Sequence, residues 1–133
     1  MDARFRIGPS KMRGAGLGVL AVVPIREGEL VEVLGVPMAR GSEEDICTAY
    51  GDAYKIEHGL LLILPTGYAG MMNDSDTPNM KKCVKAGTLF LRAVRDIEAG
   101  EELTIRYAAR GRKRYRKEKP RSARTDQERK LRT

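Results

Sequence analysis

Residues Asn73-Asp74-Ser75-Asp76-Thr77-Pro78-Asn79 pack two amides, two carboxylates and two hydroxyls into one short run. Side chains of these types hydrogen-bond nearby backbone, and Pro78 fixes its own φ and disfavours helix at Thr77, so the run bends the chain. Read by itself it is a polar turn between strands. A second stretch, Gly14-Ala15-Gly16-Leu17-Gly18, sets glycine at every second position. It does not complete the Gly-x-Gly-x-x-Gly fingerprint of a dinucleotide site, so on local grounds it too is a turn. Cys47, Cys83 and the single histidine, His58, stand apart from one another, with no Cys-x-x-Cys pair. That argues against a disulfide framework and a structural zinc site, and no metal centre is expected. His58-Gly59 reads as a turn.

The elements that must position these residues are short. Arg4–Ile7 alternates charged and apolar side chains, and Val19–Val23 is an apolar run suited to a buried strand. Leu30–Leu34, Tyr54–His58, Leu60–Leu64, Lys81–Lys85, Thr88–Val94 and Leu103–Ile105 read as further strands, separated by Gly- and Pro-containing turns. Ser42 followed by Glu43, Glu44 and Asp45 predicts the start of a short helix of about two turns. Ala21-Val22-Val23-Pro24-Ile25-Arg26-Glu27-Gly28-Glu29 resembles Ala93-Val94-Arg95-Asp96-Ile97-Glu98-Ala99-Gly100-Glu101: in both, a strand, a tight turn with glycine at positive φ, and a strand. The fold class is mostly β, in several small sheets.

Charge divides the chain. It holds 25 Lys+Arg and 18 Asp+Glu. From Arg110 onward there are 12 basic and 3 acidic residues, a net of +9, which leaves −2 for residues 1–109. Dense like charge with few apolar residues predicts a basic tail over 110–133 that is partly disordered. With few cysteines, no signal-peptide pattern at the N-terminus and no apolar run long enough to span a bilayer, an intracellular protein with no membrane partner is expected, cytoplasmic or, in a eukaryotic host, nuclear.

Three segments, in order, resemble the SET-domain protein-lysine methyltransferases. Gly16-Leu17-Gly18-Val19-Leu20-Ala21 is similar to the family's Gly-x-Gly-Val-Phe-Ala, and Asn73–Asn79 to its Asn-His-Ser-x-x-Pro-Asn. Gly100-Glu101-Glu102-Leu103-Thr104-Ile105-Arg106-Tyr107 is similar to Gly-Glu-Glu-Leu-Thr-x-x-Tyr. The resemblance spans about residues 4–108 and is nearest to minimal viral and bacterial members, which lack zinc-binding flanks. It implies a SET-domain fold over 1–109, with small β-sheets, short helices and a C-terminal pseudo-knot that sets Asn73 beside Tyr107.

The same resemblance implies the activity: methyl transfer from S-adenosyl-L-methionine to the side-chain amine of lysine in a histone-like or other basic protein. Tyr107 is then the catalytic residue. Backbone at Ala15, Gly16 and Leu17 would approach the cofactor's methionine portion, assisted by Arg13. Asn73 and Asp74 would contact its adenine and methionine moieties, with Tyr68 beside the cofactor or the channel. Ile105, Tyr54 and Tyr115 would line the substrate channel. An aliphatic Ile105 holds no water, which suits di- or trimethylation. Small members can form homodimers.

The sequence departs from the family most at Asp74, where the family has His. A carboxylate lacks the donor of an imidazole. The alternative reading is therefore a weakened SET-like binding module whose basic tail grips nucleic acid or an acidic partner.

Overall fold

The computed structural model describes residues 2–52 and 54–107. Tyr115 and the basic tail expected over 110–133 lie outside the described residues.

Ten strands and one short α-helix follow one another along the described chain: β1 Phe5–Pro9, β2 Leu17–Ala21, β3 Leu30–Glu32, β4 Gly35–Ala39, α1 Glu43–Cys47, β5 Ile56–His58, β6 Leu61–Pro65, β7 Asn73–Asp74, β8 Met80–Lys85, β9 Thr88–Ala93 and β10 Glu102–Ile105. They form three small sheets, ordered β1-β2-β10-β7, β3-β9-β8 and β4-β6-β5. The mostly-β reading therefore stands.

Local differences from the sequence reading have local causes. β1 continues through Gly8 and Pro9, paired with Gly18 and Leu17, where the composition suggests a turn. β4 is not visible in the sequence because Gly35 and Pro37 read as loop. It is an edge strand, where the missing Pro37 N–H leaves no central ladder bond unmade. The helix is shorter than expected: α1 spans Glu43–Cys47 and gives way to a separate 3-10 turn, Ala49–Gly51. Its start is as predicted, with the Ser42 side chain accepting from the Asp45 N–H at 3.2 Å.

The repeated Ala-Val-x-x-Ile-x-x-Gly-Glu segments pair with each other. The Ile25 N–H donates to the Ile97 carbonyl at 2.8 Å and the Ile97 N–H to the Ile25 carbonyl at 2.7 Å. The Gly28 N–H reaches the Ala93 carbonyl and the Gly100 N–H the Ala21 carbonyl, both at 2.8 Å. The two halves are thus related by a local two-fold. Gly28 and Gly100 each sit at φ 91°, a conformation in which a Cβ would be strained. Ile25 and Ile97 are buried at its centre. One copy links β2 to β3 and the other β9 to β10, so the crossing delivers β10 to the edge of β2.

α1 is fastened by a buried ionic cluster. Lys55 Nζ donates to Asp45 Oδ1 at 2.7 Å, to the Asp45 carbonyl at 2.9 Å and to Asp52 Oδ1 at 2.6 Å, and all three side chains are buried. Burial disfavours the ammonium ion, but its hydrogen bonds to Asp45 and Asp52 and their charges outweigh this and hold the Lys55 pKa above the ordinary lysine value.

Candidate active site

The glycine segment turns back between β1 and β2. The Ser10 N–H donates to the Gly16 carbonyl at 2.8 Å and the Ala15 N–H to the Met12 carbonyl at 3.1 Å. A Cβ on Gly16 would meet nothing within 4 Å; the crowded position is Gly18, where it would run into the Glu102 carboxylate and the Asn73 amide. Glu102 ties the loop to two distant elements. Ser10 Oγ donates to Glu102 Oε1 at 2.6 Å, and Asn73 Nδ2 to Glu102 Oε2 at 2.7 Å. The second Asn73 amide hydrogen goes to the Leu17 carbonyl at 3.0 Å. Both hydrogens of that amide are therefore used within the protein, and Asn73 acts as a clamp between the loop, β7 and β10.

β7 pairs with β10 in parallel, Thr104 beside Asn73 and Ile105 beside Asp74. This is the crossing expected of a C-terminal pseudo-knot. Asn79 supports it like an extra peptide unit: its amide accepts from the Thr104 N–H and donates to the Glu102 carbonyl, both at 2.8 Å. The crossing carries Tyr107 to β7. The Tyr107 N–H donates to Asp74 Oδ1 at 2.9 Å, and its hydroxyl to the Met72 carbonyl at 3.2 Å. The Tyr54 ring meets the Tyr107 ring edge-on, with centroids 5.5 Å apart.

In front of Tyr107 lies a cavity of about 280 Å³, walled by Tyr54, Ile56, Ile105 and Tyr107 and flanked by Glu57, Lys82 and Arg106. Ile56, Ile105 and Tyr107 are buried. The cavity thus joins an apolar wall, a phenol fixed at both ends and a charged mouth. Because the hydroxyl proton is directed to Met72, the oxygen can act towards any further group only as an acceptor.

Of the residues singled out from the sequence, Tyr107, Ile105 and Tyr54 converge on this cavity. Asp74 fixes the Tyr107 main chain beside it, while Asn73 bonds Glu102 and the Leu17 carbonyl. Ala15, Gly16 and Leu17 belong to the loop clamped by Asn73. Arg13 is exposed on that loop and makes no ion pair among the described residues. Tyr68 stands apart from the Tyr107 cavity: its hydroxyl donates to the Phe5 carbonyl at 3.0 Å, and it lines a separate cleft with Ile7 and Met71. Sequence reasoning missed Glu102 and Ser10 as clamp residues, and Ile56 and Lys82 as cavity residues. The alternation along β10, which puts Glu102 and Thr104 on one face, is the only local hint of the first.

Asp74 answers the main departure from the family pattern. Its carboxylate accepts from the Tyr107 main chain, a task for which it needs no proton. Replacing Asp74 by Ala is expected to cost about 1–3 kcal/mol, since it removes the charged partner of a half-buried N–H. Asp74→Asn, which keeps an acceptor oxygen, should restore most of that in urea denaturation. Equal losses in the two variants would show that this bond is not what Asp74 contributes.

Comparison with known proteins agrees with this architecture. No curated protein sequence matches the chain. Among solved structures, a proposed histone methyltransferase of Plasmodium falciparum is 24% identical with a TM-score of 0.62, over 82% of this chain and 96% of that one. A humanized mutant of the Chaetomium thermophilum Polycomb Repressive Complex 2, bound to an inhibitor, is 19% identical with a TM-score of 0.66. That match covers 80% of this chain and only 15% of the other. At these identities the likeness is one of fold. The family model described as SET domain matches residues 16–108, from the clamped glycine loop through Tyr107. The chain belongs to the SET-domain family.

Proposed function

We propose that this chain is a protein-lysine methyltransferase that uses S-adenosyl-L-methionine, with Tyr107 as its catalytic residue. The observation that carries the reading is the doubly tethered Tyr107 facing a cavity walled by Tyr54, Ile56 and Ile105. The cofactor supplies an electrophilic methyl group on a sulfonium centre. The residues present fit such a group. The backbone at Ala15, Gly16 and Leu17 is offered on a loop whose open side would not meet a Cβ at Gly16, and Arg13 has a guanidinium free of ion pairs among the described residues. Arg13 and this loop would hold the methionine portion, with Asn73 and Asp74 at the adenine and methionine moieties and Tyr68 beside the cofactor.

The protein's own part is to bring a lysine amine in neutral and correctly turned. An unperturbed lysine has a pKa of about 10.4, so at neutral pH the free side chain is protonated. Apolar walls of Ile56 and Ile105 disfavour the ammonium form by desolvation, and Lys82 and Arg106 at the mouth repel it. The Tyr107 oxygen, accepting an N–H of the amine, fixes the direction of the nitrogen lone pair, and alignment of this kind is the main catalytic task. With an aliphatic Ile105 in the wall and no hydroxyl there to order a water, di- or trimethylation is the expected product.

The deciding experiment is a calorimetric titration of the full chain with S-adenosyl-L-methionine, followed by transfer of labelled methyl to lysine peptides. Saturable binding and label on lysine are expected. Absence of binding would remove the enzyme reading altogether.

A further inference from the structure

The cavity in front of Tyr107 runs on into a second hollow of about 380 Å³; Ile56, Lys82, Ile105 and Arg106 border both. The floor of this second hollow is apolar, formed by the buried side chains of Ile56, Met80, Leu91 and Ile105. Its rim is charged, with Lys81, Lys82 and Arg106 exposed around it. The acids nearby are already engaged. Glu57 pairs with Arg40 at 3.2 Å, and Asp76 has a partner of its own. The Lys82 ammonium donates to the Glu57 carbonyl at 2.8 Å and has no carboxylate partner among the described residues. Lys81 and Arg106 make no ion pair among the described residues.

We propose that this groove takes an extended polypeptide in which the target lysine has Asp or Glu within two positions of it, so that the preferred substrate is a lysine in an acidic segment. As a statement about substrate, it rests on the methyltransferase reading above. Lysine is itself a cation, and three rim cations that have no carboxylate partner among the described residues repel it unless neighbouring carboxylates on the same segment offset the repulsion. An extended chain advances about 3.3 Å per residue, so side chains one or two positions away fall beside the lysine at the rim. The net charge of −2 over residues 1–109 points the other way, towards a basic segment. The nearby charges decide, because exposed charges more than about 8 Å apart are largely screened at physiological salt. The charge of the rim thus selects the segment, while the apolar floor favours the neutral amine.

The test uses three fluorescein-labelled decapeptides, each with one central lysine flanked on both sides by Glu, Ala or Arg. Binding to the full chain is read by fluorescence anisotropy with S-adenosylhomocysteine present, and methyl transfer is read in parallel with labelled cofactor. The Glu-flanked peptide is expected to bind about tenfold tighter than the Arg-flanked one at low salt, with the gap closing as salt is added. A Lys81→Glu, Arg106→Glu double variant, altered only at exposed positions, should reverse the order. An Arg-flanked peptide that binds as well or better overturns the proposal, as does failure of all three to bind. An order unchanged in the double variant assigns the attraction to the basic tail and also overturns it. Preferred methylation of the Arg-flanked peptide would leave the methyltransferase reading standing and remove this one. Tight binding of the Glu-flanked peptide with no methyl transfer would support the groove and count against the enzyme.

Discussion

Tyr107→Phe should lower methyl transfer by roughly a hundredfold to a thousandfold while cofactor binding stays close to that of the unaltered chain. The ring of Tyr107 is buried and meets Tyr54 edge-on, and phenylalanine keeps both the volume and that contact. The main-chain bond to Asp74 does not involve the side chain and is retained. What disappears is one hydroxyl and its bond to the Met72 carbonyl, a stability cost of about 1 kcal/mol. Such a cost cannot account for a large loss of turnover in a chain that still folds and binds cofactor. The measurement is single-turnover transfer of labelled methyl at saturating peptide, alongside a calorimetric titration. A variant that keeps its turnover within a few-fold would take the catalytic role away from Tyr107.

The second large effect concerns stability. Lys55→Met is expected to destabilise the chain by about 3–5 kcal/mol, because it removes the buried ammonium from which Asp45 and Asp52 both accept. A domain of this kind is stable by only about 5–15 kcal/mol, so the variant should be marginal. The pH dependence has a definite sign. The Lys55 pKa is held above the ordinary lysine value, so its contribution is fully present below that value and is lost as pH rises through the higher folded pKa. The deficit of the variant relative to the unaltered chain should therefore be full at neutral pH and shrink as pH rises through the folded pKa of Lys55. Urea denaturation of both proteins from neutral to alkaline pH reads this directly. A deficit that stays constant, or remains under about 1 kcal/mol throughout, would mean that the cluster is far weaker than its geometry implies. Because Lys55 also borders the Tyr107 cavity, loosening this cluster should raise the KM for peptide before it affects the cofactor.

These two residues differ in how far the sequence reveals them. Tyr107 stands at the end of a recognisable motif, and its role can be expected from that motif alone. Nothing around Lys55 marks it as buried; it sits among the charges of an ordinary surface segment, and only the fold that sets Asp45 of α1 and Asp52 against it closes it in. The same contrast runs through the site. Ile105 and Tyr54 could be named in advance, whereas Glu102 could not, because its partner Ser10 lies 92 residues away. Tyr68 could be named, yet its hydroxyl is spent on Phe5.

The sequence by itself determined the β character, most strand positions, the Ser42 helix start and the two glycine turns, all of which depend on local pattern and backbone preference. It also determined the family, through three short motifs in order. Tertiary structure alone decided that the two turns bind each other about a local two-fold, that parallel pairing of β7 with β10 brings Asp74 to the Tyr107 main chain, and that Glu102 rather than a glycine approach holds the loop at Asn73. The physical reason is separation along the chain. Period and turn chemistry are written within a few residues, while a hydrogen bond between distant strands exists only once the chain has crossed itself.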